Sequence, residues 1–179
     1  MTTDYSSESV RVFLGLGSNQ GDSVDIVRNA FRELGQHLRQ PRLSSLWRSQ
    51  ARYLTDQPDF INAVAVGETR LLPRELLATV NAVEAAFGRD RLKEIHNGPR
   101  PLDIDILLYG KKIIVENDLI VPHPGLRERK FVLVPLLELD PDLEDPVSGE
   151  RFSRTLATLP AQGIYLHDCG GYDRLHLWT

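Results

Sequence analysis

Hydrophobic spacing changes period several times along this chain, and each change marks an element. Residues 10–14 (Val-Arg-Val-Phe-Leu) read as a short apolar strand running into a glycine loop. Beyond it, Val24, Val27, Ala30, Phe31, Leu34 and Leu38 recur three and four apart, which predicts an amphipathic helix. Asp22 or Ser23 can cap it, and Pro41 lies past its end. Residues 43–47 suit a second strand, followed by a polar connection over residues 48–59 that is too long for a tight hairpin. A third strand is expected over residues 60–66. Pro73 then opens a helix whose buried stripe is Leu76, Leu77, Val80, Val83 and Phe87, with Gly88 as its left-handed stop. A basic loop over residues 89–100 leads to Asp103-Ile104-Asp105-Ile106-Leu107-Leu108-Tyr109, a strand whose Ile104, Ile106 and Leu108 face the core. Tyr109-Gly110-Lys111-Lys112 predicts a hairpin turn into Ile113-Ile114-Val115. Prolines at 122, 124, 135, 141 and 146 then predict a region of short elements.

The order strand, helix, strand, strand, helix, strand predicts an α+β fold. It is the ferredoxin-like β-α-β-β-α-β antiparallel sheet with helices packed on it and a short-element C-terminal extension. One domain over residues 1–179 is expected, with residues 1–9 flexible and residues 160–179 a tail without an assigned role.

Composition narrows the chemistry. A net charge of −4 argues against a general nucleic-acid binder or an anionic-membrane binder. The single cysteine, Cys169, excludes an internal disulfide and a cysteine cluster for zinc, and the N-terminus carries no secretory pattern. A cytoplasmic protein is the expectation.

The candidate chemistry begins at Asn97-Gly98-Pro99-Arg100-Pro101-Leu102-Asp103-Ile104-Asp105. Asp103 and Asp105 share one strand face, roughly 6–7 Å apart at the backbone. Two carboxylates so placed either lie solvated at a strand start or converge on a hard divalent cation such as Mg²⁺. Arg100 offers a planar fork for a phosphate oxygen, and Arg89, Arg91 and Lys93 precede it. Phe60 and Asn62, two apart on a strand, suit a flat heterocycle, the ring stacking and the amide reading a polar edge. Gly15-Leu16-Gly17-Ser18-Asn19-Gln20-Gly21 fits neither a P-loop nor the dinucleotide pattern, leaving a structural turn or a backbone contact to a ligand. Val121-Pro122-His123-Pro124 with Arg127, Arg129 and Phe131 makes a further patch. No Ser-His-Asp or Cys-His arrangement emerges, so positioning and electrostatics are favoured over covalent catalysis.

Together these blocks resemble the 6-hydroxymethyl-7,8-dihydropterin pyrophosphokinase family of folate biosynthesis. The specific signature is residues 96–107, His-Asn-Gly-Pro-Arg-Pro-Leu-Asp-Ile-Asp-Ile-Leu, and the similarity runs from Val12 to Leu143. The resemblance implies transfer of the β,γ-diphosphate of ATP to the pterin hydroxymethyl oxygen with release of AMP. It implies that Asp103 and Asp105 hold two Mg²⁺ ions and that Phe60 and Phe131 sandwich the pterin. Asn62 would bond the pterin edge, with backbone groups after Ser49 completing recognition. Arg89 and Arg100 match positions around the phosphates, Glu84 and His123 match further nucleotide contacts, and Arg129 matches a mobile cation that closes over the triphosphate. Residues 49–55 and 89–97 would act as lids. A monomer whose partners are ATP and a dihydropterin, with no nucleic acid or membrane, is expected. The chain departs from many members at Ser49-Gln50-Ala51-Arg52-Tyr53, at Asn97 in place of Trp and at Pro124 in place of Tyr. A silent ferredoxin-like binding module and a metal-dependent phosphohydrolase are the alternatives. Neither needs both a pterin and ATP for turnover.

Overall fold

The computed structural model describes residues 9–51, 56–90 and 98–168. In chain order the elements are β1 (Val10–Ser18), α1 (Ser23–Gly35), β2 (Arg39–Leu43), β3 (Leu46–Ser49), β4 (Phe60–Thr69), α2 (Pro73–Ala86) and β5 (Asp103–Tyr109). They continue as β6 (Ile114–Glu116), β7 (Leu119–Val121), a 3-10 turn (Leu126–Glu128), α3 (Lys130–Leu139), α4 (Phe152–Thr158) and β8 (Ile164–Asp168). The main sheet runs β5-β1-β4-β3-β8, with β2 beside β3 on β4 and every pairing antiparallel. Its first half is the expected ferredoxin-like order.

Local chemistry sets the helix ends. The Asp22 carboxylate accepts from the Asp25 N–H and caps α1. Leu72 offers no capping oxygen, so Glu75 reaches back to the Leu72 N–H at 2.7 Å while Pro73 occupies the first helical position. Gly88 ends α2 at φ +89°, a conformation costly for a residue with a Cβ.

Alternation along the strands divides the apolar residues between two faces. Leu14, Leu16, Ala63, Ala65, Ile104 and Ile106 pack on α1 and α2 through Val27, Ala30, Leu34, Leu76, Val80 and Val83. Phe13, Val64, Val66, Leu107 and Leu108 pack on α3 and α4 through Val132, Leu133, Leu136 and Phe152. Helices thus cover both faces of the sheet.

Several expectations change. β1 does not stop at Leu14 but continues through Gly15 and Gly17, because its ladder to β4 and β5 is unbroken there. The expected second strand is split at Ser44 and Ser45, whose polar groups find Val64 and Glu138 instead of a ladder. Pro41 lies past the end of α1, as expected, but already inside a strand, β2, that the sequence did not predict. Leu108 leaves the face of Ile104 and Ile106: the register slips by one residue opposite Phe13 and Leu14, and Leu108 joins the second core. Residues 109–112 do turn, but β6 pairs with β7 and not with β5. The proline-rich region contains a ten-residue helix, α3, with Pro135 inside it. Part of the expected tail is β8, which extends the sheet. Residues 1–8, Arg91, Lys93, His96, Asn97 and Cys169 lie outside the described residues, as does most of each expected lid.

Candidate active site

The cleft forms where the α3 face of the sheet runs out of apolar side chains. In the pairing of β1 with β5, Gly15 lies opposite Asp105 and Gly17 opposite Asp103. Across β4, Gly17 also faces Asn62. Residues opposite one another share a face, so two glycines, two carboxylates and an amide line one surface. A Cβ on Gly17 would come to 3.5 Å of Asn62 Oδ1, and any longer side chain would grow into this space. Gly15 and Gly17 are therefore a stretch of strand left bare beside the aspartates, and the expected turn into α1 comes only after it, at Gly21 with φ +75°.

Other walls come from Phe60 and Gln57, from Ser49 to Ala51 at the end of β3, from Arg100, and from Arg129, Phe131 and Val132 at the start of α3. The cleft holds about 740 Å³ of empty space, counting the part open to solvent, within the range that takes a small ligand. One end is aromatic and amide. Asn62 Nδ2 donates to Ser49 Oγ at 2.9 Å and to the Trp47 carbonyl at 3.3 Å, which fixes the amide plane.

The other end is ionic. Arg89 pairs with both Glu84 and Asp103, and Arg100 Nη2 lies 3.2 Å from Asp103 Oδ2. Arg129 Nη1 is 3.8 Å and His123 Nε2 3.5 Å from the two oxygens of Asp105. His123 Nδ1 accepts from the Gly125 N–H, so the proton of a neutral ring sits on Nε2, toward Asp105. Burial, and then the neighbouring Asp103 carboxylate, push the Asp105 carboxyl above its ordinary value, against the pull of His123, Arg129 and Arg100. The donor set suits a divalent cation, which would relieve this crowding. Among the described residues no third acidic, His or Cys ligand completes a cage. That matches Mg²⁺, which is bound by one or two carboxylates and keeps water or phosphate oxygens on its remaining positions. Arg100 Nε is buried and finds no acceptor among the described residues, although the guanidinium packs over the Phe60 ring at 5.7 Å. A buried donor without a partner is costly and points to an anionic ligand.

The structure thus gathers Ser49, Phe60, Asn62, Phe131, Arg100, Arg129, Asp103 and Asp105 around one cleft, with Arg89 and His123 touching its carboxylates. Glu84 is placed differently. It is 1% exposed and accepts from the Ile104 N–H at 2.8 Å as well as from Arg89. The carboxyl thereby satisfies the outer edge of β5 between the two aspartates, and it stands behind Arg89 rather than in the lining of the cleft. Asn19 was missed by the sequence reading. Its side chain donates to Gln57 Oε1 and the Pro58 carbonyl and accepts from the Arg100 N–H, joining three walls of the cleft. The only sequence signal for this is an amide, able to donate and accept at once, directly after a glycine-rich strand.

Comparisons with known proteins agree with this geometry. The profile of the 7,8-dihydro-6-hydroxymethylpterin-pyrophosphokinase (HPPK) family matches residues 13–141. A 2-amino-4-hydroxy-6-hydroxymethyldihydropteridine pyrophosphokinase from Aquifex aeolicus is 42% identical over 76% of this chain and 84% of its own length. The protein of the same name from Methylorubrum extorquens is 40% identical over 86% of this chain and 96% of its own. The folic acid synthesis protein fol1 of Pneumocystis carinii is 39% identical over 82% of this chain, which spans only 20% of that longer protein. In three dimensions, the Plasmodium falciparum HPPK-DHPS wild type with pteroate superposes with a TM-score of 0.65 at 14% identity, over 85% of this chain and 43% of that one. At that identity the likeness speaks for the fold alone. With a profile match across most of the chain and bacterial relatives aligned over nearly their whole length, this chain belongs to the 7,8-dihydro-6-hydroxymethylpterin-pyrophosphokinase family.

Proposed function

We propose that this chain transfers the β,γ-diphosphate of ATP to the hydroxymethyl oxygen of 6-hydroxymethyl-7,8-dihydropterin and releases AMP, a step of folate synthesis. The observation that carries the reading is the polarity of the cleft. A stacking and amide-reading end at Phe60, Phe131 and Asn62 adjoins an end with two carboxylates and three guanidiniums. A flat heterocycle with a short hydroxymethyl arm spans such a boundary, with its hydroxyl among the charges.

In this reading Asp103 and Asp105 hold two Mg²⁺ ions, which when bound neutralise phosphate charge and acidify and orient the hydroxyl. Phe60 and Phe131 clamp the ring, and Asn62 fixes its rotation. The hydroxyl oxygen then meets the β-phosphorus in line, and this positioning is itself a large part of the rate. As the oxygen–β-phosphorus bond forms, the bond to the bridging α,β-oxygen breaks, AMP leaves with that oxygen, and the hydroxyl proton passes to solvent. Arg89, Arg100 and Arg129 move from the carboxylates toward the phosphate oxygens and stabilise the charge that develops there. His123 presents its Nε2–H to the same region. Glu84 acts one step back by holding Arg89. Residues 1–179 function as one domain and as a monomer in the cytoplasm. Among the described residues no helix is long and apolar enough to cross a membrane.

The deciding assay incubates the purified chain with Mg²⁺, ATP and the dihydropterin and separates the products by chromatography. AMP and pterin diphosphate are expected in equal amounts, and only when pterin is present. Nucleotide hydrolysis without the pterin product, or pterin binding without turnover, would overturn the proposed reaction.

A further inference from the structure

Residues 142–168 lie beyond the family match, yet one side chain among them holds backbone beside residues that line the cleft. α3 begins at Lys130 with Arg129 as its N-cap, and no side chain of the cap residue accepts a bond from the first turn. A helix start leaves its first N–H groups without partners unless something else supplies an oxygen. Here it is Gln162, 32 residues downstream: its Oε1 accepts from the Lys130 N–H at 2.8 Å. The same amide donates through Nε2 to the Glu128 carbonyl at 2.9 Å. A backbone N–H can only donate and a carbonyl only accept, so this orientation of the amide is the one that satisfies both. Gln162 therefore holds the backbone on either side of Arg129.

What that backbone carries is the cleft wall. Arg129 reaches to 3.8 Å of Asp105, and its guanidinium lies 5.9 Å from the Phe131 ring centroid. It also rests on Gly125, where a Cβ would come within 2.5 Å of Nε. Arg129 thus has a seat defined by the chain between residues 125 and 130. The segment after Gln162 is tied at its other end: β8 pairs with β3, with Ile164 opposite Ser49, which also lines the cleft. Residues 162–164 are a strap from the Ser49 wall to the Phe131 wall.

We propose that Gln162 is a positioning residue that caps α3 from the C-terminal strap and so fixes the backbone from which Phe131 and Arg129 reach the cleft. The inference rests on the function proposed above and adds a determinant outside the family match. Its test uses the full chain with Gln162→Met, which keeps length and packing but removes both bonds. Gln162→Glu, as the second variant, keeps the acceptor for Lys130 and turns an oxygen toward the Glu128 carbonyl.

In Gln162→Met, amide exchange at Lys130 should accelerate by about tenfold, as for a lost hydrogen bond near 1.4 kcal/mol. Exchange in the middle of α3 should stay as in the parent. The KM and Kd for the dihydropterin should rise by about five- to tenfold, the ATP KM should stay within about twofold, and the melting temperature should fall by no more than about 4 °C. Gln162→Glu should recover part of the Lys130 protection. Unchanged exchange at Lys130, or faster exchange with an unchanged pterin Kd, would overturn the inference. An inactive parent would overturn the reaction instead, and exchange with pterin Kd would still decide the role of Gln162.

Discussion

Glu84→Ala removes the carboxylate that Arg89 and the Ile104 N–H share, at a site 1% exposed. Two losses combine. The Ile104 N–H on the outer edge of β5 is left unsatisfied, and the nearly buried guanidinium of Arg89 loses a carboxylate partner. Removing one partner of a buried ion pair costs about 3–5 kcal/mol, a range that includes such stranded groups. For a chain of this length each kcal/mol lowers the melting temperature by about 2–4 °C, so the expected fall is about 6–20 °C. Glu84→Gln keeps an oxygen for both donors and gives up only the charge. Charged hydrogen bonds are about twice as strong as neutral ones, so a fall of about 2–8 °C is expected there. Calorimetry on both variants without ligands gives these numbers. Steady-state kinetics on Glu84→Gln should then show turnover falling more than ATP affinity, since Arg89 is drawn fully onto Asp103. A Glu84→Ala melting temperature within about 2 °C of the parent, with ATP affinity lost, would refute the reasoning and make Glu84 a direct nucleotide contact.

Asp103→Ala and Asp105→Ala should each cut turnover by more than a hundredfold while leaving the fold intact by circular dichroism. Chelation should mimic both, and Mg²⁺ should restore the parent but neither variant. Phe131→Ala should raise the pterin KM by about tenfold or more, as expected for losing an aromatic stack, with the ATP KM little changed. Equal losses for both ligands would contradict the stacking role. Asp145, buried under the 3-10 turn, bears on pH. Burial alone would push its carboxyl up, but the Arg127 fork at 2.6 and 2.7 Å, helped by the Val147 N–H and Ser148, holds it below the usual range. Its contribution is complete above the unfolded value near 3.9 and is lost as pH falls through the folded value. Asp145→Asn should therefore cost about 2 kcal/mol between pH 5 and 7, discounted for the part-exposed Arg127. That gap should close below about pH 4 in urea titrations.

Individual elements show how far the sequence alone reaches. The spacing of Val27, Ala30 and Leu34, and of Leu76, Val80 and Val83, placed both sheet-covering helices, because a helix period is written in the local sequence. The Asp-x-Asp alternation placed both carboxylates on one face for the same reason. Phe60 and Asn62 were legible in the same way, and the order of strands and helices already implied the ferredoxin-like half of the fold. What stayed hidden depended on neighbours far along the chain. Leu108 changes face because of a register slip against Phe13 and Leu14. The tail becomes a strand because β3 has a free edge, and α3 forms despite Pro135 because its apolar residues have a second sheet face to cover.

The site divides along the same line. Residue types and local spacing determined that two carboxylates, several guanidiniums and an aromatic–amide pair were available. Only tertiary structure decided that Gly15 and Gly17 lie opposite the aspartates, that Glu84 is buried behind Arg89, and that Gln162 caps a helix 32 residues upstream. Period and propensity are properties of neighbouring residues, whereas register, burial and the partner of a lone hydrogen-bonding group are fixed by whichever distant segment arrives beside it.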